Sequence, residues 1–132
     1  MQFSLIEGIR NSCCEWEEQV TDDHKKVRAS FIFQEDFDGF KGHFPDMPIL
    51  PGIAQLSMIR VIAEKSVDQQ LQPKAYTHTK FKSVVNPGEQ VFVSMELWKE
   101  DGCQGTFTIE KEAGEFVSSG RFEYEYVEGD ET

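Results

Sequence analysis

Residues 51–66 constrain this chain more than any other stretch. Ile53, Ala54, Leu56, Met58, Ile59, Val61, Ile62 and Ala63 recur there so densely that, at 3.6 residues per turn, they cover most of the circumference of a helix. Pro51 and Gly52 mark its start, because a proline at the first turn gives up only an N–H that has no intrahelical partner. A helix that is apolar nearly all round is a buried helix, so the rest of the chain must enclose it. The rest reads mostly as β-structure. Alternating or β-rich runs at 12–20, 27–34, 75–85, 91–99, 106–111 and 116–126 predict about six strands. Polar turns at 21–26, 86–89, 100–105 and 112–115 separate them. The first ten residues predict a short amphipathic helix with Phe3, Leu5, Ile6 and Ile9 on its apolar side. These elements predict an α+β fold in one domain spanning 1–132, a long antiparallel sheet curled around a central buried helix at about 51–66.

Composition narrows the function classes. The chain is 39% hydrophobic and 12% aromatic, enough to build a core and too much for general disorder. No run approaches the roughly 18 apolar residues of a membrane span. MQFSLIEGIR has an early acid and no basic start before an apolar run, so no secretory signal is expected and a cytoplasmic location is. Thirteen basic residues stand against 24 acidic ones, a net charge of −11, which argues against nucleic-acid binding because phosphate contacts need a basic face. The sign is uneven: between positions 60 and 82, Arg60, Lys65, Lys74, Lys80 and Lys82 oppose only Glu64 and Asp68. Such a patch suits an acidic partner, and a solvated set of lysines fits the same counts. Cys13 and Cys14 are neighbours and Cys103 has no CxxC companion, so idle thiols in a reducing compartment are expected.

The segment FKGHFPDMPILPGIAQLSMI, residues 40–59, carries the chemistry. It places His43 in a proline-stiffened loop nine residues before Gly52 at the helix start. Free N–H groups at a helix N-terminus lie at the positive end of its dipole and polarise a carbonyl oxygen placed there. A nearby imidazole can then remove a proton from the adjacent carbon. A histidine that only packs and bonds locally satisfies the same spacing. His78, within YTHTKF, is expected at the surface, His24 falls in a polar turn, and Trp16 and Trp98 read as core or interface.

GHFP at 42–45, then PILPG at 48–52 and an apolar helix, resembles the hotdog-fold β-hydroxyacyl-[acyl carrier protein] dehydratases. FKSVVNPGEQV at 81–91 resembles that family's Phe-Lys-x-x-Val-x-Pro-Gly-Asp-Gln strand and turn. The resemblance extends over roughly 31–126. Many members carry a Pro-His-Arg-Tyr-Pro segment that is missing here, and the shorter start is similar to the dehydratase-like proteins of aryl-polyene and related polyketide-type pathways. The resemblance implies a single hotdog domain and identifies His43 as the base that takes the C2 proton of a 3-hydroxyacyl thioester. It implies that the Gly52 N–H binds the thioester oxygen and that Phe44 and Pro45 shape the acyl tunnel, where Gln55 and Phe81 are further candidates for contact with the substrate. It implies no metal and no redox cofactor.

One member of the implied set is different. The family places a Glu or Asp fourteen residues after the histidine, where this chain has Ser57. A serine hydroxyl is far too weak an acid to replace a carboxylic acid at neutral pH, although it can hydrogen-bond the 3-hydroxyl or a water. Glu64 lies two helical turns beyond, and Asp46 follows GHFP; each reads better as a surface or capping charge than as the missing acid. Three functions follow: a 3-hydroxyacyl-thioester dehydratase in fatty-acid or polyketide-type metabolism, an impaired module that binds acyl chains or acyl carrier protein or partners an active homologue, and a thioesterase. The implied partners are acyl carrier protein or a coenzyme A thioester, docking at Arg60, Lys65, Lys80 and Lys82. The implied assembly is a homodimer, extended in some members to a trimer of dimers.

Overall fold

The structure, a computed structural model, describes residues 2–40, 49–99 and 102–127. In chain order these form α1 (Gln2–Asn11), β1 (Cys13–Val20), β2 (His24–Ile32), α2 (Gly52–Val67), β3 (Leu71–Phe81), β4 (Gln90–Lys99), β5 (Cys103–Lys111) and β6 (Phe116–Tyr126), with single 3-10 turns at Asp38–Phe40 and Glu112–Gly114. The strands make one six-stranded sheet in the order β1-β2-β4-β5-β6-β3, and every neighbouring pair is antiparallel. This is the α+β hotdog arrangement expected from the sequence, with β1 and β3 as its two edges.

Period-2 alternation turns one side-chain set of the inner strands toward α2. Val27, Ala29 and Phe31 of β2, Val91, Val93 and Met95 of β4, and Phe107 and Ile109 of β5 are buried in one core with Ala54, Met58, Ile59, Ile62 and Ala63 of the helix. Ile9 of α1 is fully buried in the same core. Among the described residues no helix is long and apolar enough to cross a membrane.

Three expectations shift. The second strand starts at His24, three residues before 27, because Lys25 turns inward: its ammonium donates to the Ser66 carbonyl at 2.6 Å and pairs with Glu18 at 3.5 Å. It thereby satisfies one of the carbonyls left open at the end of α2. The strand placed at 75–85 runs instead from Leu71 to Phe81, and the edge position of β3 tolerates Pro73. The strand placed at 106–111 begins at Cys103, within the expected turn, because Gly105 lets two backbones and a ring close together. A Cβ there would collide with the Glu96 carbonyl and lie 2.6 Å from Phe122 Cζ.

The helix is enclosed on all sides but one. Ile53 is 68% exposed, and Leu56, Ser57, Arg60 and Glu64 are half-buried, so a stripe along α2 stays open. Beyond it, Asp68 caps the helix in the left-handed region (φ 57°) with its N–H donating to the Glu64 carbonyl.

Gly105→Ala is expected to lower the unfolding free energy by about 1–3 kcal/mol through overpacking, read as a lower midpoint in urea; an unchanged midpoint contradicts the close approach of β4, β5 and Phe122.

Candidate active site

The site grows from the start of α2. Pro51 is the N-cap, extended at φ −72° and ψ 160°, and makes no side-chain capping bond. Its carbonyl accepts from the Ala54 and Gln55 N–H groups at 3.0 and 3.1 Å. The N–H groups of Gly52 and Ile53 come before the first intrahelical acceptor and lie at the positive end of the dipole. Gly52 has no side chain to shield them. A Cβ on it would lie 3.0 Å from Cζ of Phe81, so the missing side chain lets the half-exposed Phe81 ring sit against the helix end.

The approach to that helix is stitched to the chain that follows β3. Leu50 N–H donates to the Val85 carbonyl at 2.9 Å, and Gly88 N–H to the Phe33 carbonyl at 2.8 Å. Lys111 holds this loop from β5. Its side chain is only 12% exposed, and the ammonium donates to the Val84 carbonyl at 2.9 Å and to both Glu89 carboxylate oxygens at 3.3 and 3.4 Å. Glu89 also accepts the Asn86 backbone N–H at 2.8 Å. The Asn86 N–H above all holds the Glu89 carboxyl below the usual carboxylate range; burial opposes it, and the Lys111 ammonium adds to the lowering.

Gln55 is 3% exposed and ties the same corner from inside. Its Nε2 donates to the Leu50 carbonyl at 3.2 Å, and its Oε1 accepts from the fully buried Ser118 hydroxyl at 2.7 Å. The amide expected to contact substrate thus has both ends engaged in fixing the turn into α2 to β6. Buried polar groups that find partners in this way specify one arrangement of the backbone.

Ser57 lies on the open stripe of α2, one turn beyond Ile53. His43, Phe44, Pro45 and Asp46 lie outside the described residues. Glu64 sits at the other end of the stripe, where its Oε2 accepts the Leu71 N–H at 2.9 Å and its Oε1 lies 4.0 Å from Arg10. It caps the start of β3, in keeping with the structural role expected of it. His78 is exposed, as expected, at a bulge of β3 between Thr77 and Lys80.

The basic residues between 60 and 82 lie on both α2 and β3. Lys80 and Lys82 are exposed at the end of β3, whereas Lys65 lies 4.2 Å over the Trp16 ring, on β1 at the opposite edge of the sheet. Burial pushes the Cys103 thiol up to about 11, which suits an inert side chain. A recess of about 450 Å3 lies on the outer face of the sheet, over Ser94, Thr106 and Thr108, away from the helix end.

Sequence reasoning passed over one feature. The Tyr76 hydroxyl of β3 donates to the Tyr124 hydroxyl of β6 at 3.0 Å, and the two rings meet edge to face at 5.7 Å. The signal was present in the alternation FEYEY at 122–126, which turns Tyr124 inward and obliges its buried hydroxyl to find a partner.

With this geometry in place, three comparisons fix its relatives. The ApeI-like family model, described as ApeI dehydratase, matches residues 18–121. The 3-hydroxyacyl-[acyl-carrier-protein] dehydratase FabZ of Shewanella woodyi is 33% identical over 90 residues, which cover 61% of this chain and 59% of the relative. The chain therefore spans about three-fifths of that relative's length. Among solved structures, an uncharacterized protein from Erwinia carotovora subsp. atroseptica superposes with a TM-score of 0.77 at 22% identity, covering 88% of this chain and 96% of that one. The dehydratase heterocomplex ApeI:P from Xenorhabdus doucetiae gives 0.64 at 20% identity, covering 84% and 98%. At these identities the structural likeness speaks for the fold.

Glu89→Gln tests the stitched loop. The lowered carboxyl contributes stability that is present above its unfolded value near 4.5 and is lost as pH falls through the lower folded value. The advantage of wild type over Glu89→Gln in thermal midpoint is expected to be constant at neutral pH and to shrink below about pH 4.5; a gap independent of pH contradicts the network.

Proposed function

The chain belongs to the ApeI-like dehydratase family, and from that premise we propose that it removes water from 3-hydroxyacyl thioesters to give trans-2-enoyl thioesters, in fatty-acid or polyketide-type lipid metabolism. The family match over 18–121 carries the reading. The start of α2 supports it, because the Gly52 N–H, which has no acceptor among the described residues, suits a thioester oxygen that gains charge as the C2 proton leaves. In this reading His43 is the base, the Gly52 N–H is the oxyanion donor, and Phe44, Pro45 and Phe81 border the acyl group. Ser57 hydrogen-bonds the 3-hydroxyl or a water on the leaving side. Gln55 acts through the backbone, holding the Leu50 turn from which the helix starts. The acyl group arrives on acyl carrier protein or coenzyme A, and an acidic carrier docks at Lys80 and Lys82.

Among the described residues the outer edge of β3 pairs with no strand, which supports a second chain there. Eleven residues of strand end there beside Ile53, Phe81 and Val84, which are 68%, 50% and 49% exposed. A long edge next to exposed apolar side chains is an aggregation hazard unless it is covered. We propose that a second copy covers it, giving the homodimer that is the unit of any larger assembly. Sedimentation equilibrium is expected to read a dimer for wild type and a shift toward monomer for Phe81→Lys.

One observation favours a second reading. Position 57 offers no carboxylic acid, and the Xenorhabdus doucetiae relative in fold is a heterocomplex of dehydratases. A homologous chain at the β3 edge can bring the carboxylate, leaving this chain as the partner that holds the acyl group. The thioesterase reading is weaker, because Ser57 offers no carboxylate to direct a hydrolytic water.

Steady-state turnover of a 3-hydroxybutyryl thioester decides between enzyme and module. The expected result is enoyl thioester formation by the purified chain and a loss of at least about 100-fold in kcat/KM in His43→Ala, the scale on which general acid–base groups act. Activity that needs a second, homologous chain supports the heterocomplex, and activity indifferent to His43 contradicts both readings.

A further inference from the structure

Resting on the dehydratase reading, we propose that the acyl group this chain accepts ends in a second carboxylate, which Arg60 holds on the open stripe of α2. Three Lys or Arg side chains are half-buried among the described residues: Lys25, Arg60 and Lys111. Lys25 meets Glu18 at 3.5 Å, and Lys111 meets Glu89 at 3.3 Å. Arg60 meets no carboxylate among the described residues, in a chain with 24 acidic residues to 13 basic ones. Taking a guanidinium partly out of water costs free energy, and a carboxylate on its planar fork restores it.

The stripe does not supply that acid. Glu64, one turn beyond Arg60, has its Oε2 on the Leu71 N–H at 2.9 Å and its Oε1 4.0 Å from Arg10. Ile53, Leu56 and Ser57 carry no charge. A second copy whose own stripe faced this one would bring the same residues, with the same Glu64 already engaged. Such a contact leaves Arg60 unanswered. The Tyr76 and Tyr124 hydroxyls lie near enough for the guanidinium to oppose burial, which raises both phenols, but a neutral phenol does not balance a cation.

Helix geometry sets the length of the ligand. Ile53 and Arg60 are two turns apart on one face, about 10 Å along the axis. Leu56 lies between them, so the line from the helix start is apolar first and cationic at its end. In the dehydratase reading the thioester oxygen sits at the Gly52 N–H, and the carrier stays outside at the exposed Lys80 and Lys82. The acyl chain then runs the other way, past Leu56 and Ser57. An extended chain with C–C bonds of about 1.5 Å advances about 1.3 Å per carbon, so about eight carbons span the distance. The ligand class is a dicarboxylic acid joined to its carrier at one end.

The test compares 3-hydroxydecanedioyl and 3-hydroxydecanoyl thioesters, which differ only at the tenth carbon, with the 3-hydroxybutyryl thioester as the reference for turnover. Wild type is expected to favour the dicarboxylic chain by about tenfold or more in kcat/KM, mainly through KM, the scale of a hydrogen-bonded charge pair. That preference is expected to vanish in Arg60→Met and to survive in part in Arg60→Lys. A wild type without the preference, or a preference undiminished in Arg60→Met, overturns the inference; turnover of the butyryl thioester then leaves the dehydratase reading standing. Failure to turn over any of the three overturns both. Sedimentation equilibrium of Arg60→Met separates substrate from partner. An unchanged dimer is expected, and a shift toward monomer assigns the guanidinium to a partner's carboxylate and overturns the inference as well.

Discussion

The whole arrangement depends on how one helix is enclosed. Eight apolar residues in the first three turns of α2 leave it no stable face toward water, and the sheet and α1 cover it except along the line from Ile53 to Glu64. That line is where chemistry and partnership become possible. The helix N-terminus lies at one end, Glu64 secures β3 at the other, and Ser57 and Arg60 lie between. Burial of the remaining circumference, at roughly 25 cal/mol per Å2 of apolar surface, holds the frame rigid enough to fix those positions.

A second set of interactions converts this frame into a site. Two pairs of side chains steady the turn into α2. Gln55 and Ser118 do so from the core, Lys111 and Glu89 from the surface. Gln55 acts on Leu50 directly, and Lys111 and Glu89 act on the loop whose Val85 carbonyl accepts the Leu50 N–H; on the function proposed above, a displacement of the Gly52 N–H by an ångström would misplace the oxyanion donor. Polar residues that read as surface or substrate contacts thus set the geometry of a backbone site.

Much of this was legible in the residues. The dense apolar positions at 53–63 required an enclosing sheet, and alternation at 91–99 and 116–126 supplied strands with a clear inward face. The resemblance of GHFP, PILPG and FKSVVNPGEQ led to the correct family, which the match over 18–121 confirms. Strand ends were less legible, because long-range fit sets them: Gly105 reads as a turn residue until Glu96 and Phe122 approach it, and Lys25 reads as a turn lysine until the end of α2 is beside it. The tyrosine pair spans 48 positions and depends on the β3–β6 register, which alternation within either strand does not specify.

The central claim, that water is exchanged reversibly across C2 and C3 of an acyl thioester, is tested most directly in the hydration direction in heavy water. Purified protein is incubated with a trans-2-enoyl thioester in deuterium oxide, and the product is read by mass spectrometry and NMR. The account predicts a 3-hydroxyacyl thioester carrying one deuterium at C2, with the thioester bond intact. Release of free thiol and carboxylic acid, or recovery of the enoyl thioester unchanged, would contradict it.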